Sequence, residues 1–192
     1  MSEITVQSVY FAEPGPGNTA RTLEIARQRA GELNVRTILV ASTRGETGLR
    51  VALEFHGYDV VVVSHAAGFG APNAQEMTEE NRVAIESAGA RILTCQHAFG
   101  GVGRAVRKKW GTYQVDEIVA QTLRIFGEGM KVAVEIALMA ADAGLVRVGE
   151  PCISIAGTAE GADTAIVLAP ANVQNFFDLR VSQVLAKPKM LR

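Results

Sequence analysis

The sequence predicts an α/β protein in which helices cover both faces of a mainly parallel sheet, a three-layer sandwich built as a single domain over residues 1–192. Three observations carry this. Short apolar runs alternate along the chain with segments of helical period. The run Tyr58 to Ser64 (YDVVVVS) contains consecutive valines, which suit a strand covered on both faces. Polar, glycine-containing loops follow the strands. In an open parallel sheet such loops gather on the rim made by the carboxyl ends of the strands, where ligands bind.

Composition sets the bounds. The chain has 192 residues, 48% hydrophobic and 20% charged, enough for a sizeable core and too apolar for disorder. A formal net charge of -1 gives no electrostatic reason to expect nucleic acid or an anionic membrane as partner. The N-terminus MSEITVQSVYF has no basic region leading into a long apolar run, and no apolar run approaches the ~20 residues of a membrane span. Cys95 and Cys152 both lie in apolar runs, read as buried thiols rather than a disulfide. The expected location is cytoplasmic.

Taken in order, Val6 to Ala12 reads as a strand, stopped by the turn-dense Glu13 to Thr19. Asn18 or Thr19 can cap a helix over Ala20 to Leu33. Thr37 to Ala41 is a buried strand, and an apolar-periodic helix begins after Gly48 and runs to Phe55. Tyr58 to Ser64 is the valine strand, followed by the small-residue loop His65 to Asn73. Thr78 starts a helix over Glu79 to Ser87, with acids in the first turn where the dipole favours them. Ala90 to Cys95 is the next strand, then the loop Gln96 to Gly103 and a basic segment, Arg104 to Lys109, read as a solvated helix face. Gln114 to Ala143 is the longest helical pattern, with a break expected at Gly127 or Gly129 and a stop at Gly144. Glu150 to Ala156 and Thr164 to Leu168 are strands joined by Gly157 to Asp163; Asn172 to Leu179 is a short turn or helix, and Arg180 to Leu185 a last strand.

The chemistry concentrates at Ser42-Thr43-Arg44-Gly45-Glu46-Thr47-Gly48, where a buried strand hands over to a helix. Free N–H groups at the helix N-terminus and the positive end of its dipole favour an anion there. Ser42, Thr43 and Thr47 add hydroxyls and Arg44 a forked cation suited to phosphate. Simple capping by the hydroxyls is the alternative. No GxxxxGK[ST] is present, so this is not a nucleotide-triphosphatase loop. Asn18 and Thr19, in the equivalent place after the first strand, are further ligand contacts or else caps. Gly157 and Thr158 open a loop whose amides can form an anion-holding concavity.

His65 and His97 each stand just past a strand and are the candidates for proton transfer; hydrogen-bonded loop histidines are the alternative, and catalytic residues stay unknown on this reading. Glu160 and Asp163 read as an acid pair or as solvated or capping acids. Phe69 and Phe99 either cover a flat ring or pack in the core. Cys95, Cys152, His65 and His97 lack zinc spacing, so no metal is expected.

Two stretches resemble the C-terminal domain of pyruvate kinase. Ser42 to Leu49 resembles that domain's Thr/Ser-x-Ser-Gly-x-Thr-Ala turn before a helix, where sugar phosphates regulate some enzymes. The stretch from Met139 to Leu168 is similar to the family's helix ending in Gly-Leu (Gly144-Leu145), its Gly-Glu (Gly149-Glu150), an apolar strand, a glycine loop (Gly157 to Gly161) and a closing strand. The match runs from about Ile38 to Leu168, and the stand-alone pyruvate kinase alpha/beta domain-like proteins, of unassigned activity, are the family it points to. The resemblance implies a pyruvate kinase C-terminal domain-like fold and a flavin mononucleotide (FMN)-like ligand. Pyruvate kinase's barrel, with its metal and catalytic groups, has no counterpart here, and neither the Glu13 to Thr19 loop nor the His65 to Asn73 loop matches the motif.

The expected function is therefore binding of a phosphorylated small molecule, FMN included, on the rim. Whether the protein is an enzyme stays open. The alternatives are a flavin-dependent oxidoreductase or a transferase using His65 or His97, and a regulatory module that forms a homo-oligomer.

Overall fold

The alternation of Ile38, Leu39 and Val40 already decides how the layers form. In a strand successive side chains point to opposite faces, so a run that is apolar at every position needs cover on both sides. The computed structural model, which describes residues 3–189, supplies that cover. Its strands are β1 (Val9–Phe11), β2 (Thr37–Ala41), β3 (Asp59–Ser64), β4 (Arg91–Thr94), β5 (Cys152–Ala156), β6 (Thr164–Ala169) and β7 (Arg180–Pro188). Its helices are α1 (Thr19–Leu33), α2 (Glu46–Glu54), α3 (Glu79–Ser87), α4 (Val102–Trp110), α5 (Val115–Arg124) and α6 (Glu128–Asp142). The strands form one seven-stranded sheet in the order β1-β7-β6-β5-β2-β3-β4.

Ile38, Val40, Val60, Val62, Ile153 and Ile155 point to one face and pack with Leu23 and Ala26 of α1, Val51 of α2 and Ile85 of α3. Leu39, Val61, Val63, Ile166 and Leu168 point to the other and meet Ala120 of α5 and Val134, Ala137 and Leu138 of α6. All of these side chains are buried. Each fully buried Val, Leu or Ile is worth about 1.5–3 kcal/mol against exposure, so the two faces are the main source of stability.

The α/β sandwich and its mainly parallel sheet are as expected. β5-β2-β3-β4 are mutually parallel, and β1 is parallel to β7. Only β6 runs against its neighbours β5 and β7. Because β6 reverses and β7 reverses again, β1, β2, β3, β4 and β5 all end on the same rim. The glycine-rich loops therefore do gather there.

Several boundaries moved, each for a physical reason. The first strand covers Val9 to Phe11 rather than Val6 to Ala12, because its partner β7 meets only those residues in register. The last strand continues past Leu185 to Pro188, where Val9 and Phe11 give it a partner. The long helical pattern breaks at Gly127, whose φ of 126° suits glycine alone, so α5 and α6 are separate. The basic segment is α4, with Arg107, Lys108 and Lys109 in its last turn, where cations oppose the dipole. Thr78 caps α3 as expected, accepting from the Asn81 amide at 3.2 Å. Among the described residues no helix is long and apolar enough to cross a membrane.

Candidate functional site

The β2–α2 turn takes its shape from its neighbour α3. The Arg44 carbonyl accepts from Asn81 Nδ2 at 3.0 Å and from the Thr78 amide at 3.3 Å. Gly45 follows with a φ of 108°, and a side chain there would bring Cβ within 2.4 Å of Asn81 Cβ. Only glycine permits both the left-handed turn and the contact. Gly48 is needed for closeness alone, since its Cβ would stand 2.5 Å from Val62 Cγ1. With the turn pinned through its carbonyl, the amides of Thr43 to Thr47 find no acceptor among the described residues. Gly48 N donates to Ser42 Oγ at 3.0 Å, so the buried Ser42 hydroxyl serves as an internal cap. The unbonded amides at the positive end of α2 are an anion-holding arrangement.

These groups border a cleft of about 840 Å³. It is lined on one side by Ser42, Thr43, Arg44, Glu46 and Thr47, and on another by Gly157, Ala159, Glu160 and Gly161. The volume falls within the ~300–1,000 Å³ typical of small-molecule sites. His65 and His97, from the loops after β3 and β4, also line it, as do Phe69, Glu76, Arg104, Lys131 and Glu135.

Of the residues expected to contact a ligand, Ser42, Thr43, Arg44, Glu46 and Thr47 line the cleft, and Gly45 lies buried in the turn. Gly157 lines it as well; a side chain there would meet the Gly161 carbonyl at 2.4 Å. Thr158, by contrast, donates its amide to Asp163 Oδ2 at 3.2 Å and is not among the lining residues. Asn18 turns back to the Glu13 carbonyl at 2.8 Å, also away from the cleft. Thr19 borders the cleft, but its hydroxyl is used twice: it donates to Pro16 O at 2.7 Å and accepts from Ala162 N at 3.0 Å. Thr19 thus ties the first loop to the β5–β6 loop. Asp163, fully buried, reinforces the tie by accepting from Gly15 N at 2.9 Å and from Thr164 Oγ1 at 2.8 Å. The paired-acid reading of Glu160 and Asp163 dissolves, because Glu160 is exposed beside Arg44 (3.6 Å) and Asp163 is spent on the loops.

The histidines form one cluster. His65 Nδ1 lies 2.7 Å from Glu76 Oε2, and its Nε2 lies 3.4 Å from Thr43 Oγ1. Phe69 packs on both imidazoles, stacked on His97 with a 12° interplanar angle and a centroid separation of 4.9 Å. Burial pushes His97 down to about 4, partly opposed by the Glu135 carboxylate. His97 is therefore neutral at neutral pH, and its Nε2 can accept from the Ala66 amide at 3.4 Å.

At the cleft floor, α6 carries an ion pair with no counterpart in the sequence reading. Lys131 and Glu135 are 4% and 3% exposed, and Lys131 Nζ donates to Glu135 Oε2. Glu135 Oε1 also accepts from the Phe99 amide at 3.0 Å, and the Phe99 ring lies 5.8 Å from the ammonium. Burial holds Lys131 below the usual ammonium range, with Glu135 opposing the fall. The signal for this pair was present: a Lys and a Glu four apart inside the most apolar helical stretch, KVAVEIALMAA. Glu76 gave no such signal, lying eleven residues past His65 in an irregular loop.

The cleft charges mostly cancel. Arg124 meets Glu128 at 2.8 Å, Arg50 meets Glu54 at 2.7 Å, and Arg44 faces Glu160. Arg104, stacked 5.0 Å over Phe69, has no carboxylate partner among the described residues. Both thiols are free; burial pushes Cys152 up to about 12 and raises Cys95, so neither is poised as a nucleophile.

A family model described as the pyruvate kinase alpha/beta domain matches residues 20–168, beginning earlier than the motifs near Ile38. Among solved structures, a Cryptosporidium parvum pyruvate kinase is similar at 10% identity and a TM-score of 0.39, over 83% of this chain and 23% of that one. A second pyruvate kinase structure from the same organism gives 10% identity and 0.40, over 83% and 24%. An O-ureido-L-serine synthase gives 17% identity and 0.33, over 68% and 49%. The chain spans about a quarter of the length of the pyruvate kinase structures it matches.

Proposed function

The chain belongs to the pyruvate kinase alpha/beta domain family, and from that premise we propose that it binds a phosphate-bearing small molecule in the rim cleft. The phosphate sits on the amides of Thr43 to Thr47. The observation that carries this reading is that run of amides without acceptors among the described residues, at the N-terminus of α2, in a turn whose Thr43, Arg44, Glu46 and Thr47 line the cleft. The Thr43 and Thr47 hydroxyls supplement it, and Arg104, without a carboxylate partner among the described residues, lines the same cleft.

FMN, the ligand suggested by family resemblance, is the specific candidate. Its phosphate fits the amide cradle, and the cleft volume admits its size. The ring is less well provided for, since Phe69 already holds His97 and Arg104 against it. A flavin ring would lie beside that stack or displace Arg104.

Calorimetric titration with inorganic phosphate and with FMN tests the proposal. The double variant Thr43→Ala with Thr47→Ala should lose on the order of 1–3 kcal/mol of binding, the range for hydrogen bonds to a charged group. An absorption spectrum and a mass spectrum of the purified protein identify any flavin that comes with it. Unchanged affinity in the double variant would remove the cradle from the account.

A further inference from the structure

We propose that Thr43, His65 and Glu76 form a hydrolytic relay for small carboxylic esters, with the Thr43 hydroxyl as nucleophile and the adjoining amides as the oxyanion site. The groups come from three loops: Thr43 from the β2–α2 turn, His65 from the end of β3, Glu76 from the segment before α3. They meet as a chain of hydrogen bonds. Glu76 Oε2 stands 2.7 Å from His65 Nδ1, so that nitrogen carries the proton and donates it to the carboxylate. The lone pair is then on Nε2, which faces Thr43 Oγ1 at 3.4 Å. That separation is long for a resting hydroxyl–imidazole bond and suits a pair that tightens as charge develops.

The surroundings keep the order fixed. Gln75 Nε2 donates to the His65 carbonyl at 3.1 Å, and its Oε1 accepts from the Met77 amide at 2.9 Å, which holds the segment bearing Glu76 against the end of β3. Phe69 packs against the His65 ring, 4.1 Å between centroids, and limits its rotation. Thr43 stands where a strand turns into a helix, and the amides that follow it, at the positive end of α2, have no acceptor among the described residues and are the donors an oxyanion on the carbon bonded to Oγ1 would use. A nucleophile, an oriented base and charge-stabilising donors thus converge from distant parts of the sequence on one edge of the cleft.

The step balances without a further reagent. Thr43 Oγ1 bonds to the ester carbonyl carbon while its proton passes to His65 Nε2. The carbonyl oxygen becomes an oxyanion held by the amides beginning at Arg44. As the carbonyl re-forms, the bond to the leaving alcohol breaks and His65 returns the proton to that oxygen. Water then attacks the acyl carbon as His65 takes its proton; the bond to Oγ1 breaks, and His65 gives the proton to Oγ1, leaving the carboxylic acid and the free Thr43 hydroxyl. Glu76 steadies the imidazolium in both halves. The relay needs the amides but no phosphate, so it does not depend on the ligand proposed above.

A fluorophosphonate probe reads the relay directly: Oγ1 bonds to phosphorus, fluoride leaves, and the adduct persists. The full-length protein should be labelled, with the adduct located on Thr43 by peptide mass spectrometry. Thr43→Ala and His65→Ala should abolish labelling, Thr43→Ser should retain it, and Glu76→Gln should slow it by roughly 10²–10⁴-fold. Thermal unfolding of each variant separates lost chemistry from lost fold, and Thr43→Ser carries the test if the alanine variant does not fold. No labelling of the native protein, an adduct on another residue, or labelling of a folded Thr43→Ala at the native rate overturns the relay. Phosphate titration of the same samples keeps the two readings apart. Phosphate binding without labelling removes the relay alone, whereas labelling without phosphate binding removes the phosphate ligand alone and leaves the amides to the oxyanion.

Discussion

Removing the Glu135 carboxylate with Glu135→Leu isolates the energetics of the cleft floor. The substitution leaves the Lys131 ammonium, 4% exposed, without its counter-charge, and leaves the Phe99 amide without its 3.0 Å acceptor. Breaking a buried ion pair from one side costs about 3–5 kcal/mol. Orphaning a buried amide costs about 1–3 kcal/mol, and because Lys131 can shed its proton the two do not add fully. We expect a total loss of ~3–5 kcal/mol at neutral pH, a large part of the ~5–15 kcal/mol that a domain has. Burial already holds Lys131 below its usual range and Glu135 opposes that fall, so deleting Glu135 lowers Lys131 further. A lysine whose folded value is depressed binds fewer protons folded than unfolded between that lowered value and the unfolded value near ~10.4, so stability rises with pH across that window. Urea unfolding at about pH 7 and about pH 9 should therefore show Glu135→Leu recovering stability relative to the native protein. Lys131→Met combined with Glu135→Leu should regain most of the loss at either pH, since an apolar pair replaces a pair of desolvated charges. A Glu135→Leu loss below ~1 kcal/mol with no pH dependence would refute the reasoning, because it would mean that the pair is hydrated.

Two further outcomes follow from the site. Asp163→Ala removes the acceptor for Gly15 N, Thr158 N and Thr164 Oγ1; each buried donor so orphaned costs ~1–3 kcal/mol, and limited proteolysis should shift to the Glu13 to Thr19 loop. His97 is depressed to about 4 mainly by burial, so the folded state binds fewer protons than the unfolded chain between about pH 4 and ~6.5. Stability should fall as pH drops through that window, and His97→Gln should flatten the dependence in chemical unfolding across it.

The sequence by itself determined what local chemistry controls. Valines at 60–63 demanded cover on both faces, the acids after Thr78 marked the start of α3, and Gly127 broke the long helical pattern. Ser42 to Gly48 stood out as a turn between strand and helix start because those pieces are adjacent in the chain, and the structure places Ser42, Thr43, Arg44, Glu46 and Thr47 on the cleft. Tertiary structure alone decided what depends on distant partners. It reversed β6, because pairing direction is set by which strands become neighbours. It spent Thr19 and Asp163 on joining loops. It brought Glu76 to His65, and paired Lys131 with Glu135 inside a helix whose apolar residues hid them. A side chain's type is written locally, but whether its polar atoms are free or occupied depends on what the fold places against them, and a ligand site consists of the ones left free.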